Sequence, residues 1–273
     1  MTFCPRFVYH DDLVRSLMNI EGSRSVVDIL PLPPDKGLVL RQRALRKTTH
    51  HSTRIEGNRL SEKQIEKAVS KLTDARTPDE LEVRNYWRAL EWLEVEVENK
   101  AKLNETFIQK LHALIIPTGP GRGKKKSDYR TGPVGVINRS KPSGYDYQAP
   151  EADHVADLMR DLVTWINSRS ARLLPGPVRA AILVYQFLTI HPFRDGNGRT
   201  GRCLATFELW RTGYTFRGFL SMEEYYAREL HSYYDNLQMG LPANYYEGRN
   251  NADLTPWIEY FCGIMAQSAG QVA

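Results

Sequence analysis

One stretch of the chain concentrates side chains that could act together: His191-Pro192-Phe193-Arg194-Asp195-Gly196-Asn197-Gly198-Arg199-Thr200-Gly201-Arg202. His191 supplies a base, since an imidazole near its ordinary pKa of about 6.5 is mostly neutral at pH 7. Gly196 and Gly198 let the backbone turn tightly and approach a ligand closely. The N–H groups that open the next helix, aided by its macrodipole, form a nest for an anion. Arg199 and Arg202 are spaced i, i+3 and are expected on one helix face, where two guanidinium forks suit a polyphosphate. Asp195 at the mouth would repel phosphate, and a bridging Mg²⁺ resolves that conflict. Phe193 is expected to point inward as an apolar anchor. The chemistry indicated is proton abstraction beside a bound polyphosphate.

The elements that must hold this loop read as helices. PVRAAILVYQFLTI (177–190) is apolar nearly all round, which predicts a central buried helix leading into His191. A helix over 200–213 leads away from it. Further helices are predicted over 38–52, from Ser61 with Gln64 to about Leu72, and from Thr77-Pro78 with Glu80 through ELEVRNYWRALEWLEVEV. Asn104 is expected to cap another, and the pattern resumes over 152–168, 221–237 and 253–269. Residues 117–150 break the habit with Gly, Pro, Ser and a basic run, and VGVIN (134–138) has β character. The fold class predicted is mostly α with one small β element.

The chain has 273 residues, of which 41% are hydrophobic and 25% charged, a globular composition that excludes wholesale disorder. No apolar run approaches the ~20 residues of a membrane span, and the N-terminus lacks a signal-peptide core. Three widely spaced cysteines, Cys4, Cys203 and Cys262, exclude a disulfide framework and a CxxC metal site, so a cytoplasmic location is the default expectation. The net charge of +5 is met by nucleotide phosphates as well as by nucleic acid, which it does not demand. The glycine- and lysine-rich segment 119–127 is one residue short of a P-loop and has Lys125 where Ser or Thr belongs, so it reads as a solvated basic loop. The remaining histidines, His10, His50, His51, His112, His154 and His231, are scattered and show no metal spacing, and His50-His51, close to residues 52–57, carry no assigned chemistry.

The 191–202 segment matches H-x-F-x-(D/E)-G-N-G-R-x-x-R at every fixed position, and in this the chain resembles the Fic family. Tyr129-Arg130-Thr131 and then Val134, Gly135, Val136 and Ile137 resemble that family's flap, a β-hairpin that docks the target. Tyr233-Tyr234 resemble its adenine-side helix, and the run Trp257 to Phe261 its last core helix. The likeness extends over about residues 80–268. It departs from the family at 237–250, LQMGLPANYYEGRN, which reads as an insertion. Upstream, Ser52-Thr53-Arg54-Ile55-Glu56-Gly57 resembles the family's inhibitory motif, (S/T)-x-x-x-E-(G/N), in the class where that motif lies on an N-terminal helix. The organisation implied is an N-terminal helical region, 1–76, carrying the inhibitory motif, and a Fic core domain, 77–273.

The resemblance implies Mg²⁺-dependent transfer of AMP from ATP to a Ser, Thr or Tyr hydroxyl of a target protein or of the chain itself. His191 would be the base and Asp195 would hold the metal. Asn197 with the Gly196 and Gly198 amides would face the α-phosphate, and Arg199 and Arg202 would grip the outer phosphates. Tyr233 and Tyr234 would flank adenine, while the flap backbone at 134–137 would align the target by strand addition. Glu56, with Ser52 beside it, would pair with Arg202 and keep ATP out of its reactive pose. Partners implied are ATP and a protein hydroxyl, with a homodimer compatible and no membrane needed. Three alternatives stay open: a non-catalytic nucleotide-sensing or DNA- or protein-binding regulator, transfer of phosphate or another nucleotide, and removal of AMP with Glu56 orienting water.

Overall fold

Residues 3–70, 77–116, 127–137 and 144–273 are described by the computed structural model. Among them the chain forms twelve α-helices and one pair of antiparallel strands, in keeping with the mostly-α expectation. In chain order the elements are α1 (Asp11–Ile29), α2 (Pro34–Ile55), α3 (Glu62–Ser70), α4 (Pro78–Glu98) and α5 (Glu105–Ile115), then β1 (Gly135–Ile137) and β2 (Tyr145–Gln148). There follow α6 (Ala152–Ile166), the single turn α7 (Arg169–Arg172), α8 (Gly176–Ile190), α9 (Asn197–Arg211), α10 (Glu223–Arg228), α11 (Leu230–Gln238) and α12 (Thr255–Gly270). The basic stretch 119–126, the predicted helix end at Leu72, the strand end at Asn138 and residue 76 at the expected domain boundary lie outside the described residues.

Local chemistry explains most helix starts. Thr77 and Glu80 form a reciprocal capping box, and Pro78 sits in the first turn, where its missing N–H is no loss. Asn104 accepts the Phe107 N–H at 2.8 Å and so opens α5. At Ser61 only half of the box forms: its N–H donates to Gln64 Oε1 at 2.9 Å, and its hydroxyl turns to the same oxygen.

Three differences from the predicted elements have physical causes. α1 buries only Leu13, Ile20 and Val27, seven residues apart, a stripe too narrow to stand out from its polar surroundings; it lies against α12. The helix expected over 221–237 breaks at Glu229 (φ −122°, ψ 56°) into α10 and α11. α9 starts at Asn197 rather than Thr200, so Gly198 belongs to the helix.

The core is built on α8, every residue of which is buried. It packs on α9, α12 and α6, and the Trp257 indole N–H of α12 donates to the Ala181 carbonyl of α8 at 2.8 Å. Burying such an apolar helix is the main favourable term, at roughly 1.5–3 kcal/mol per large side chain. Arg179 of α8 meets Glu208 of α9 at 2.8 Å, which fixes the two helices in register without solvent. α2 packs across α4 and α10, which brings its C-terminal end to the start of α9. Leu13, Ile20, Val27 and Ile55 from the N-terminal helices belong to the same apolar cluster as α8. No helix among the described residues is long and apolar enough to cross a membrane.

Candidate active site

α8 ends at His191, which takes the left-handed conformation (φ 52°, ψ 59°) immediately before Pro192. A residue before proline is steered to extended backbone, so this geometry must be imposed by its surroundings. The imposing group is Arg130, buried at the base of the flap. Its Nε donates to the His191 carbonyl at 2.9 Å, its Nη1 to Gly132 O at 3.0 Å and its Nη2 to Pro150 O at 2.5 Å, while its backbone N–H bonds Pro192 O at 2.9 Å. Arg130 thus ties the segment before β1, the segment before α6 and the 191–192 turn together.

The His191 ring is oriented by a second contact. Nδ1 lies 3.1 Å from the Leu188 carbonyl, which can only accept, so Nδ1 carries the hydrogen. In the neutral ring Nε2 is then the basic nitrogen. Burial lowers the pKa of His191, partly opposed by the Leu188 bond and by Glu56 and Asp195, so the neutral form prevails at pH 7.

Phe193 faces inward and is fully buried. His112 of α5 stacks on it at 3.7 Å and reaches the Asp195 carbonyl with Nε2 at 2.8 Å. Asn197 clasps the same loop from the other side: its Oδ1 accepts from Phe193 N–H at 3.0 Å and its Nδ2 donates to Phe193 O at 2.8 Å. Both polar groups of this side chain are therefore committed, and what Asn197 offers a phosphate is its backbone N–H. Gly196 turns the chain at φ 74°, where a side chain is disfavoured. The first N–H groups of α9, with no carbonyl below them, face the opening.

The two motif arginines part company. Both are buried, but Arg202 lines the cleft, whereas Arg199 pairs through Nη1 with Glu82 of α4. Glu82 also accepts from Asn58 Nδ2 at 2.7 Å. A carboxylate 117 positions away thus holds Arg199, as Glu56 holds Arg202. Asp195 stands at the mouth, its side chain 76% exposed, with Oδ1 accepting the Gly196 N–H at 2.6 Å and lying 3.6 Å from Arg199.

Arg202 is enclosed by the end of α2. Nε donates to Ser52 Oγ at 2.7 Å, and Nη2 donates to Ser52 O at 2.9 Å and to Glu56 Oε1 at 2.8 Å. Burial disfavours the charged guanidinium, yet the Glu56 carboxylate, with Tyr233 and Tyr86, more than reverses this and holds the proton firmly. Glu56 lies so close over the first turn of α9 that a Cβ at Gly198 would collide with its Oε1. Gly198 is thus a glycine for space, not for turning. The carboxylate thus sits between Arg202 and the first turn of α9.

The cleft over these residues has a volume of about 1360 Å³. On one side stands the flap, with Val136 paired to Tyr147, Gly135 to Gln148, and a register shift between Val136 and Ile137. Val136 is exposed on the cleft wall and Val134 is half-buried beside it. The Tyr147 hydroxyl donates to Thr189 O and fastens the flap to α8. Opposite, Tyr233 and Tyr234 of α11 both reach the cleft but differ in kind. Tyr233 is buried in an aromatic cluster with Tyr226 and Trp257, and Tyr234 is 42% exposed. The segment read as an insertion supplies the remaining wall: Gln148 N–H bonds Ala243 O at 2.9 Å and Tyr245 N–H bonds Gln148 O at 3.1 Å, so residues 243–245 run along the outer edge of β2.

The Fic/DOC family profile matches residues 102–209, the span from the start of α5 to near the end of α9. This chain carries a Fic domain. A protein adenylyltransferase Fic from Aedes aegypti is 27% identical over 216 residues, 77% of this chain and 38% of that protein. A protein adenylyltransferase fic-1 from Caenorhabditis briggsae is 31% identical over 137 residues, 45% of this chain and 23% of that protein. The chain therefore spans well under half the length of the curated relatives it matches. Among solved structures, a Fic family protein from Desulfovibrio desulfuricans superposes with a TM-score of 0.80 at 25% identity, covering 98% of this chain and 76% of that one.

The Fic-domain match takes in the flap, His191, Asp195, Gly196, Asn197, Gly198, Arg199 and Arg202. It leaves out Ser52, Glu56, Tyr233 and Tyr234, which the fold alone brings to the same cleft. Sequence reasoning missed Glu82, the scaffold roles of Arg130 and His112, and the 243–249 wall. A buried arginine has no local signal, but the capping box at Thr77 did mark the helix that carries Glu82.

Proposed function

We propose that this Fic domain is a protein adenylyltransferase of the class with an N-terminal inhibitory helix. The observation that carries the reading is the juxtaposition of a neutral His191, its Nε2 basic, with Arg202 and the first turn of α9 on one cleft. ATP would lay its phosphates on the α9 N-terminus, with Arg202 on the outer phosphates and Tyr234 toward the base. A target segment would add as a strand to β1, presenting its hydroxyl to His191. Nε2 would take the hydroxyl proton as the oxygen bonds the α-phosphorus; the α–β anhydride bond breaks and pyrophosphate leaves. The N–H groups of Gly196 to Gly198 would stabilise charge on the α-phosphate.

Mg²⁺ fits the donor set at Asp195: one exposed carboxylate, both of whose contacts within the protein use Oδ1, is the usual protein share of a magnesium site completed by phosphate oxygens. Bound there, it would neutralise phosphate charge. Glu56 would oppose the reaction by holding Arg202 and occupying the phosphate position.

The test is incubation with Mg²⁺ and ATP labelled in its α-phosphate. Glu56→Gly should label itself or proteins of a lysate far more than wild type, and Glu56→Gly with His191→Ala should bind ATP but transfer nothing. Intact-mass measurement of the product separates AMP from phosphate or another nucleotide. Absence of transfer by Glu56→Gly sinks the proposal.

A further inference from the structure

One turn before Glu56, outside the cleft, His50 and His51 of α2 converge with Glu62, the first residue of α3. One ligand atom from each, two imidazole nitrogens and a carboxylate oxygen, lie within 4.8 Å of one another. His50 Nδ1 is 3.7 Å from Glu62 Oε1, close to the ~3.3 Å edge of a tetrahedron with bonds of ~2.0 Å. The two rings sit 4.8 Å apart, tilted by 38°.

The cluster holds buried ring nitrogens that lack a hydrogen-bond partner. His50 is 7% exposed, and the Nδ1 atoms of both His50 and His51 are buried without a hydrogen-bond partner. Buried polar atoms in native proteins are nearly always satisfied, and two orphan ring nitrogens on adjacent residues of such a cluster call for an occupant. Ring stacking alone would leave both unsatisfied. Of the cations nearby, Lys47 is already paired with Glu224 at 2.9 Å.

We propose that His50, His51 and Glu62 bind a divalent transition-metal ion of the zinc class. Two imidazoles and one carboxylate, with water in the fourth position, are a known zinc ligand set, and imidazole selects against Mg²⁺ and Ca²⁺. The ion would close the Glu56–Ser61 connection and clamp α2 to α3. Because the same end of α2 carries Ser52 and Glu56, it would also steady the carboxylate on Arg202. That consequence rests on the function proposed above, whereas ion binding does not.

The whole chain, stripped with a chelator, is titrated with Zn²⁺ alone by calorimetry and with Co²⁺ by visible absorption. One Zn²⁺ per chain should bind and raise the melting temperature, and Co²⁺ should give the d–d bands of four-coordination. Loss of outer-shell partners alone weakens metal sites ~10–100-fold, so His51→Ala and Glu62→Gln should each weaken Zn²⁺ at least ~10-fold and abolish the Co²⁺ bands. Glu62 is exposed, so Glu62→Gln keeps the fold even where a histidine variant fails to. Asp195→Asn should bind Zn²⁺ at this site as wild type does, which separates it from the cleft. Wild type that takes up Zn²⁺ no more tightly than millimolar, or Glu62→Gln that binds it unchanged, overturns the site.

Discussion

Replacing Glu56 by glycine removes one partner of a contact that the nucleotide would have to break. The Arg202–Glu56 bond is 2.8 Å long, between a guanidinium that is 3% exposed and a carboxylate that is 26% exposed. Breaking a fully buried ion pair from one side takes ~3–5 kcal/mol, but that figure is too large here. Arg202 keeps Ser52 Oγ and Ser52 O, and Glu56 is partly hydrated. A hydrogen bond to a charged group, ~1.5–3 kcal/mol, is the better measure. If the phosphates and Glu56 compete for Arg202, this energy returns as affinity, about 10- to 150-fold tighter ATP binding. The same energy should leave the ligand-free protein, so Glu56→Gly should unfold at lower urea without ATP by a similar amount. Calorimetry with Mg²⁺-ATP and urea denaturation of the same samples measure both halves of the cycle. Glu56→Gln, which keeps the shape and an acceptor but not the charge, should fall between. A folded Glu56→Gly that binds ATP no more tightly than wild type would show that Glu56 does not stand in the phosphate position. Tighter binding with no loss of ligand-free stability would refute the energetic argument even if activity rose.

Gly198→Ala should push Glu56 off Arg202 and lower stability by ~1–3 kcal/mol in wild type; in a Glu56→Gly background the penalty should largely vanish, and additive urea midpoints would count against the close approach. Arg130→Met should leave the carbonyls of His191, Gly132 and Pro150 without their donor, at a loss of at least ~2 kcal/mol by denaturation, and should slow AMP transfer more than it weakens ATP binding. For His191 the sign follows from a depressed pKa: the reactive neutral form persists as pH falls and is lost only below that value. The acidic limb of kcat/KM for Glu56→Gly should therefore lie below pH 6.5, and a limb at or above 6.5 would contradict the burial seen here.

What the amino-acid sequence determined by itself is local. The apolar run 177–190 dictates a buried helix because no face of it is polar, and the spacing from His191 to Arg202 places a base, a turn and a helix N-terminus within one connection. Thr77 and Asn104 mark helix starts because caps are satisfied within three residues. Ser52 and Glu56 were legible only through their resemblance to the Fic inhibitory motif. What only the tertiary structure decided is which partner each of these side chains meets. Arg199 turns to Glu82 and Arg202 to Glu56, although the two arginines are equivalent in sequence, because α4 and α2 arrive on different sides of α9. The left-handed turn at His191 is held by Arg130, 61 positions away, and the far wall of the cleft by residues 243–245 bonding to β2. A short-range pattern carries the chemistry of a loop; it holds no record of the contacts between distant segments, which exist only once the helices have packed.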